Sequence, residues 1–273
     1  MSMTEISSRR NHIVKLARAL RQRKHRDESG LFLAEGILHV GEAVGAGWQV
    51  EAILYSQEIL SSEFANDLVS QQIERGTKCY QISPELFDQV AEKENPQGIL
   101  AILHKKNKHL NDIPRSKFQR GVAVVSPQDP GNVGTVMRSI DAVGADGLIL
   151  LDRGVDLYHP TVIRASMGTF FWIPIIQAQF TDFVEWARQN DYQLLGTSAH
   201  GNLDFREVVL GEKPWIMILG NEQKGLTAEQ TAACDLVIRL PMRGRTSSLN
   251  LAVAAGVLLY SFMEGRSRVF PRT

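Results

Sequence analysis

Ser126-Pro-Gln-Asp-Pro-Gly-Asn-Val-Gly-Thr135, Ile218-Leu-Gly-Asn-Glu-Gln-Lys-Gly-Leu226 and Leu240-Pro-Met-Arg-Gly-Arg-Thr-Ser-Ser-Leu-Asn250 are three segments rich in Gly, Asn or Ser. Each follows a short apolar run of the kind that forms a buried strand. The first and third lead into stretches with helical spacing. In an open α/β sheet, ligands sit beyond the carboxyl ends of the strands. Three glycine-bearing loops at three such ends would gather backbone amides and short polar side chains around one crevice, which suits a nucleotide-like ligand. Taken singly, each loop reads as a tight turn. None is the G-x-G-x-x-G fingerprint or a Walker lysine loop, which disfavours a nicotinamide enzyme.

Outward from these loops, the pattern predicts strands at 121–126, 147–151, 172–176, 192–198, 215–219 and 235–239. It predicts helices at 132–144, 160–168, 181–190, 227–233 and 249–263. The last is apolar around most of its circumference, the mark of a buried helix. Upstream, 104–120 is polar, basic and aperiodic, and reads as a linker. Before it lies a smaller α/β unit. Ile13, Leu16, Ala17 and Leu20 share a face of a helix at 11–22. Apolar runs at 31–34, 52–55, 78–82 and 98–103 alternate with helices at 37–45, 63–75 and 84–90, the last capped by Ser83 ahead of Pro84. The expected class is therefore α/β, with domains at 1–104 and 121–273 joined by a basic linker at 105–120.

The 273 residues suffice for two cores, and 44% hydrophobic with 22% charged residues is ordinary globular composition. Cys79 and Cys234 are far apart, and the seven histidines form no ligand grouping, so no metal is expected. No signal or membrane segment is seen, and a cytoplasmic setting is expected. Thirty basic residues balance thirty acidic ones, yet the positive charge is concentrated at the front. Arg9, Arg10, Lys15, Arg18, Arg21, Arg23, Lys24 and Arg26 precede any acid after Glu5. They form either a solvated helix face with the loop beyond it or a patch that contacts phosphates.

Together and in order, the three loops resemble the signature motifs of the SpoU (TrmH) RNA 2′-O-ribose methyltransferases of the SPOUT class, over essentially all of 121–263. Asn11-His-Ile-Val-Lys-Leu, Phe32-Leu-Ala-Glu-Gly36 and Pro96-Gln-Gly-Ile-Leu-Ala101 resemble, more loosely, that family's N-terminal substrate-binding domain. The resemblance implies a small α/β RNA-binding domain ahead of a SPOUT α/β domain with a trefoil knot. It also implies S-adenosylmethionine as cofactor, RNA as partner and a homodimer formed through the knotted domain. The appended domain points to 23S ribosomal RNA. Transfer RNA, or a non-catalytic RNA-binding member of the fold, is the alternative.

Position by position, the resemblance implies a reacting set of Asn132, Arg138, Glu222, Ser248 and Asn250. It implies a cofactor pocket of Leu219, Gly220, Ile238, Leu240, Met242, Ser248 and Leu249. Arg9, Arg10, Lys15, Arg18 and Lys24, with Arg164 beside the site, are the expected RNA contacts. Methyl transfer from a sulfonium is an in-line displacement, so the protein supplies position and charge. Guanidinium groups stay protonated in proteins, so Arg138 suits a phosphate clamp and a stabiliser of the developing alkoxide better than a base. Val133, Val136, Met137, Ile140 and Val143 form the helix's apolar face, and Arg138 points away from it. Asn132 is expected as N-cap, RNA contact or both. Glu222 is expected to orient Arg138 or the third loop. Ser248 and Asn250 are expected to cap the last helix or to bond the nucleotide or neighbouring loop backbone.

Overall fold

Pairing of the apolar runs yields two sheets in two compact units, formed by residues 4–106 with 156–172 and by 107–155 with 173–263. The computed structural model describes residues 4–92 and 94–263. Residues 264–273, the end of the expected second domain, lie outside the described residues, as do 1–3.

The first unit contains β1 (Thr4–Ile6), α1 (His12–Ala19), α2 (Arg23–Ser29), β2 (Leu31–Glu35), α3 (Ile37–Gly45), β3 (Val50–Tyr55), α4 (Glu63–Glu74), β4 (Cys79–Ile82), α5 (Pro84–Val90) and β5 (Ile99–His104). Its mixed sheet has the order β1-β4-β3-β5-β2. Asn11 caps α1 by accepting from the Ile13 N–H, and Ser83 caps α5 ahead of Pro84. Ile13, Val14 and Ala17 of α1, with Leu20 at its C-cap, bury against Leu33, Leu54 and Phe87.

Helix α2 corrects the sequence pattern, which predicts a loop with exposed cations beyond α1. Arg26 is only 2% exposed. Its guanidinium donates to the carbonyls of Leu20 (2.7 Å) and Arg21 (2.8 Å) and pairs with Asp156. Polar and aperiodic in sequence, α2 is held by this one buried side chain.

Residues 156–172 belong to this unit although they follow the first strands of the second sheet in sequence. Aromatic packing accounts for it. Tyr158 packs tilted and Phe170 edge-on against Phe32, with ring centroids 4.7 and 5.8 Å away, and the Trp48 indole donates to the Phe171 carbonyl at 2.9 Å. The Tyr158 hydroxyl accepts from the Lys106 N–H and donates to the Lys106 carbonyl; burial pushes its pKa up to about 12.

The stretch read as a linker is anchored at both ends. Lys105 pairs with Asp27 at 2.7 Å, and the Lys106 ammonium lies 4.2 Å from the Trp48 ring centroid. Leu110 and Phe118 are buried in the second unit. A Cβ at Gly121 would fall 2.2 Å from the Phe118 ring, so that strand needs glycine there.

The second unit contains β6 (Arg120–Val125), α6 (Pro130–Val143) and β7 (Gly147–Leu151); α7 is Pro160–Ala165, within the 156–172 segment of the first unit. Then come β8 (Ile175–Ala178), α8 (Phe180–Gln189), β9 (Gln193–Thr197), β10 (Leu203–Asp204), β11 (Trp215–Leu219), α9 (Ala228–Ala232), β12 (Leu236–Arg239) and α10 (Leu251–Met263). Its seven strands, ordered β10-β12-β9-β11-β6-β7-β8, are all parallel. The chain runs outward from β6 through β7 to β8, and later strands build on the other side. The topological switch therefore falls between β6 and β11, where an open sheet binds ligands. The strand expected at 172–176 starts at Ile175, because a short 3-10 helix at Thr169–Phe171 buries Phe170 and Phe171 just before it.

Helix α10 packs on α6 and buries Leu251, Ala252, Ala255, Leu258 and Leu259. It is not enclosed all round, as its composition suggested: Val253, Val257 and Tyr260 are 52%, 39% and 52% exposed. No described helix is long and apolar enough to cross a membrane.

Removing the partner of a buried charge leaves that charge uncompensated. Asp156→Ala is expected to lower unfolding free energy by about 3 kcal/mol, read from urea denaturation. A loss within error of zero would show that Arg26 finds equivalent solvation elsewhere.

Candidate functional site

Strands β12, β9, β11 and β6 are adjacent and parallel, so their carboxyl ends share one edge of the sheet. The three motif loops follow three of these strands. The structure brings them together through hydrogen bonds between side chains and backbone.

Glu222 of the second loop is the hub. Its carboxylate accepts from the N–H groups of Gln128 (3.0 Å) and Asp129 (3.2 Å) in the first loop, and from the Asn132 side-chain amide at 3.3 Å. The Asn132 side-chain oxygen accepts from the Asn250 amide of the third loop at 2.8 Å. Asn221 adds a second tie by donating to the Ser126 carbonyl at 2.8 Å. Its own oxygen accepts from the Gln223 and Lys224 N–H groups, which fixes the 221–225 turn. A Cβ at Gly220 would fall 2.4 Å from the Gly225 carbonyl carbon, so this turn tolerates no side chain there.

Three expectations change at this point. The N-cap of α6 is Asp129, whose carboxylate accepts from Gly131 (2.6 Å) and Asn132 (3.0 Å), so Asn132 sits in the first turn with its side chain free to join two loops. Glu222 orients the first loop rather than Arg138. The Arg138 side chain is exposed and has no hydrogen-bond or ion-pair partner among the described residues. Of the third-loop pair, Asn250 alone caps α10, accepting from Ala252 (2.9 Å) and Val253 (3.3 Å). Ser248 stays exposed and contributes only its carbonyl, to the Thr246 hydroxyl.

The residues expected around a cofactor form a graded wall. Leu219 and Ile238 are buried at the ends of β11 and β12, Leu240 and Met242 are half-buried, and Leu249 is exposed. Sequence reading missed a fourth loop at the same edge. Thr197 donates to the Ile218 carbonyl (3.0 Å), the Ser198 N–H to the Ile238 carbonyl (2.9 Å), and a Cβ on Gly201 would fall 2.8 Å from the Ile238 backbone. Thr197-Ser-Ala-His-Gly201, small and polar after a strand, carries the same signal as the other three loops. Apolar side chains interleaved with turn backbone fit an adenosine group, which needs flat contact and backbone hydrogen bonds.

In the first unit, Arg9, Arg10, Lys15 and Arg18 are exposed. Lys15, Arg18 and Arg21 line an open cavity of about 560 Å³ on α1. Lys24 is exposed but pairs with Glu28 at 3.8 Å. Arg164, expected beside the site, belongs to the first unit, where it pairs with Glu92 (2.9 Å) and donates to Thr161 (3.1 Å). Among the described residues, no group of three or more His, Cys, Asp or Glu side chains could hold a metal ion.

Glu222→Ala should leave the Gln128 and Asp129 amides without an acceptor. Their hydrogen exchange is expected to accelerate at least tenfold, about 1.4 kcal/mol of lost protection, with the β-strand amides unchanged. Exchange at the wild-type rate would mean that the first loop is held by something else.

Residues 119–260 match the model of the SpoU rRNA Methylase family, and residues 11–101 match that of the MRM3-like substrate binding domain. The chain is 33% identical to the 23S rRNA (uridine(2479)-2′-O)-methyltransferase of Streptomyces viridochromogenes, over 98% of this chain and 94% of that protein. It is 31% identical to the 23S rRNA (guanosine(2553)-2′-O)-methyltransferase of Bacillus subtilis, over 94% and 98%. Among solved structures, the AdoMet-bound rRNA methyltransferase from Sinorhizobium meliloti superposes with a TM-score of 0.88 at 34% identity, over 96% of this chain and 98% of that one.

Proposed function

This chain belongs to the SpoU rRNA methylase family, and from that premise we propose that it transfers a methyl group from S-adenosylmethionine to a ribose 2′-hydroxyl of ribosomal RNA. The observation that carries this reading is the Glu222–Asn132–Asn250 chain of hydrogen bonds, which joins all three motif loops at the switch point of the sheet. The two 23S rRNA enzymes named above favour the large-subunit RNA as substrate. Such a protein works in the cytoplasm, where that RNA is made and assembled.

When bound, S-adenosylmethionine supplies a methyl group already activated by its sulfonium. Leu219, Gly220, Ile238, Leu240 and Met242 would hold it, with the 198–201 turn at the same edge. Arg138 carries the charge chemistry. Without an internal partner, its guanidinium is available to a phosphate of the target nucleotide and to the negative charge that develops on the 2′-oxygen. Asn132 and Asn250 keep α6, and so Arg138, in register with the third loop. Arg9, Arg10, Lys15 and Arg18 hold RNA on the first unit. Lys24 and Arg164 would each have to leave a carboxylate to do the same.

The exposed stripe Val253, Val257 and Tyr260 follows one face of α10, with exposed Leu249 just ahead of the helix, and suits a second copy of the chain, forming a homodimer. Val257→Glu is expected to convert a dimer of the 30.4 kDa chain into monomer in sedimentation analysis. A wild-type chain that sediments as monomer would contradict the dimer.

For the chemistry, Arg138→Ala is expected to lower methyl transfer to ribosomal RNA by about 10²–10³-fold, while calorimetry gives an unchanged S-adenosylmethionine Kd. Near-normal turnover would remove Arg138 from the reacting set.

A further inference from the structure

We infer that Arg153 and Lys224 form a pair of phosphate clamps that grip the RNA backbone on either side of the first motif loop. This inference rests on the methyltransferase reading and adds the contacts that position the substrate strand.

Arg153 follows β7 and Lys224 follows β11, the two strands that flank β6 in the sheet. Both loops touch the loop after β6. The Val155 N–H donates to the Pro127 carbonyl at 2.8 Å, and a Cβ on Gly154 would fall 2.5 Å from that same oxygen. On the other flank, Asn221 and Glu222 bond to Ser126, Gln128 and Asp129. Residues 126–129 thus lie between the two loops, and each outer loop carries one cation.

The backbone at both cations is fixed. Asp152 adopts a left-handed conformation (φ 61°), and its carboxylate accepts from the Phe180 N–H at 2.8 Å while its own N–H donates to the Ala178 carbonyl. With Gly154 packed on Pro127, Arg153 is clamped from both sides of the chain. The Lys224 N–H is bonded to the Asn221 side chain, in a turn closed by the paired Asn221 and Gly225 backbones. Yet both side chains are exposed, and neither has a hydrogen-bond or ion-pair partner among the described residues.

The neighbouring carboxylates are engaged differently. Asp129, Asp152 and Glu222 all accept backbone N–H bonds, from Gly131, Phe180 and Gln128 respectively. The acids bind the scaffold and the cations are left free. In the same unit, exposed Arg188 and Lys213 pair with Asp235 and Asp191, while Arg243 and Arg245 of the third motif loop are, like Arg153 and Lys224, exposed with no side-chain partner among the described residues. Unpaired cations on constrained backbone, on both sides of a loop that carries reacting residues, fit an anionic strand that crosses the site. Long, exposed side chains suit a polyanion in solvent better than the small carboxylate of a cofactor that would sit at the strand ends.

The test uses the full chain, a fluorescein-labelled ribosomal RNA fragment and a series of salt concentrations. Arg153→Ala and Lys224→Ala are each expected to lower the slope of log Kd against log salt by about 0.7–0.9, the value of one phosphate contact. The double variant should lose about twice that. KM for RNA should rise with little change in kcat, and Arg153→Lys should keep most of the slope. Arg188→Ala, which removes a paired cation, should leave the slope at the wild-type value, and calorimetry should give an unchanged S-adenosylmethionine Kd for every variant. Unaltered slopes in a wild type that binds and methylates RNA would overturn this inference alone. So would weakened cofactor binding in the alanine variants, which would assign the cations to the cofactor. A wild type that binds no RNA would overturn the methyltransferase reading and this inference with it.

Discussion

The carboxylate of Glu222 stands where three chain segments leave a parallel sheet with backbone donors unpaired. Helix α6 begins at Pro130, and the N–H groups just before it at Gln128 and Asp129 have no partner in helix or strand. Such groups must be satisfied by side chains or by water. Glu222 takes both, and its negative charge lies near the positive end of the α6 dipole, where it is favoured. Asn132 passes the connection to Asn250, which in turn caps α10. The starts of two helices and the turn after β11 are therefore one hydrogen-bonded object. Without that tie, three Gly-rich loops would each bring their own conformational entropy to the site. With it, the residues proposed to react are positioned by the fold itself, as positional catalysis requires.

The same first loop is braced from its other side by Gly154 and Val155 against Pro127. The next residue in the chain, Asp156, belongs to the first unit and pairs with the buried Arg26. Val155, which braces that loop, and Asp156, which pairs inside the first unit, are thus consecutive residues. The family-model boundary at residue 119 and the packing boundary do not coincide, because Tyr158, Phe170 and Phe171 find their aromatic partners on Phe32 and Trp48.

The α/β class and the placement of three loops at strand ends were legible because they depend on local signals. Apolar runs of strand length end in Gly, Asn and Ser, and helical periodicity begins again beyond. Features that depend on a single distant partner were not legible. Asp129 and Asn132 are both good caps in sequence, and only the path of the chain after Ser126 selects the first. Arg26 reads as one more cation in a basic run until Asp156, 130 residues later, is packed against it. Phe118 and Leu110 are isolated apolar residues in a polar stretch, with no period to announce them. The even hydrophobicity of α10 conceals which face meets α6 and which stays exposed. The 197–201 turn was an omission rather than a limit, since its composition matches that of the other loops.

Glu222, Asn132 and Asn250 form one hydrogen-bonded network beside the proposed cofactor pocket, and a double-mutant cycle measures directly whether they act on it as one. S-adenosylmethionine affinity is determined by calorimetry for wild type, Glu222→Gln, Asn250→Ala and the double variant. Because both side chains act through Asn132, their effects are predicted to be non-additive, with a coupling of at least about 0.5 kcal/mol. Strict additivity, or affinities untouched by either change, would contradict the claim that the three loops form a single site.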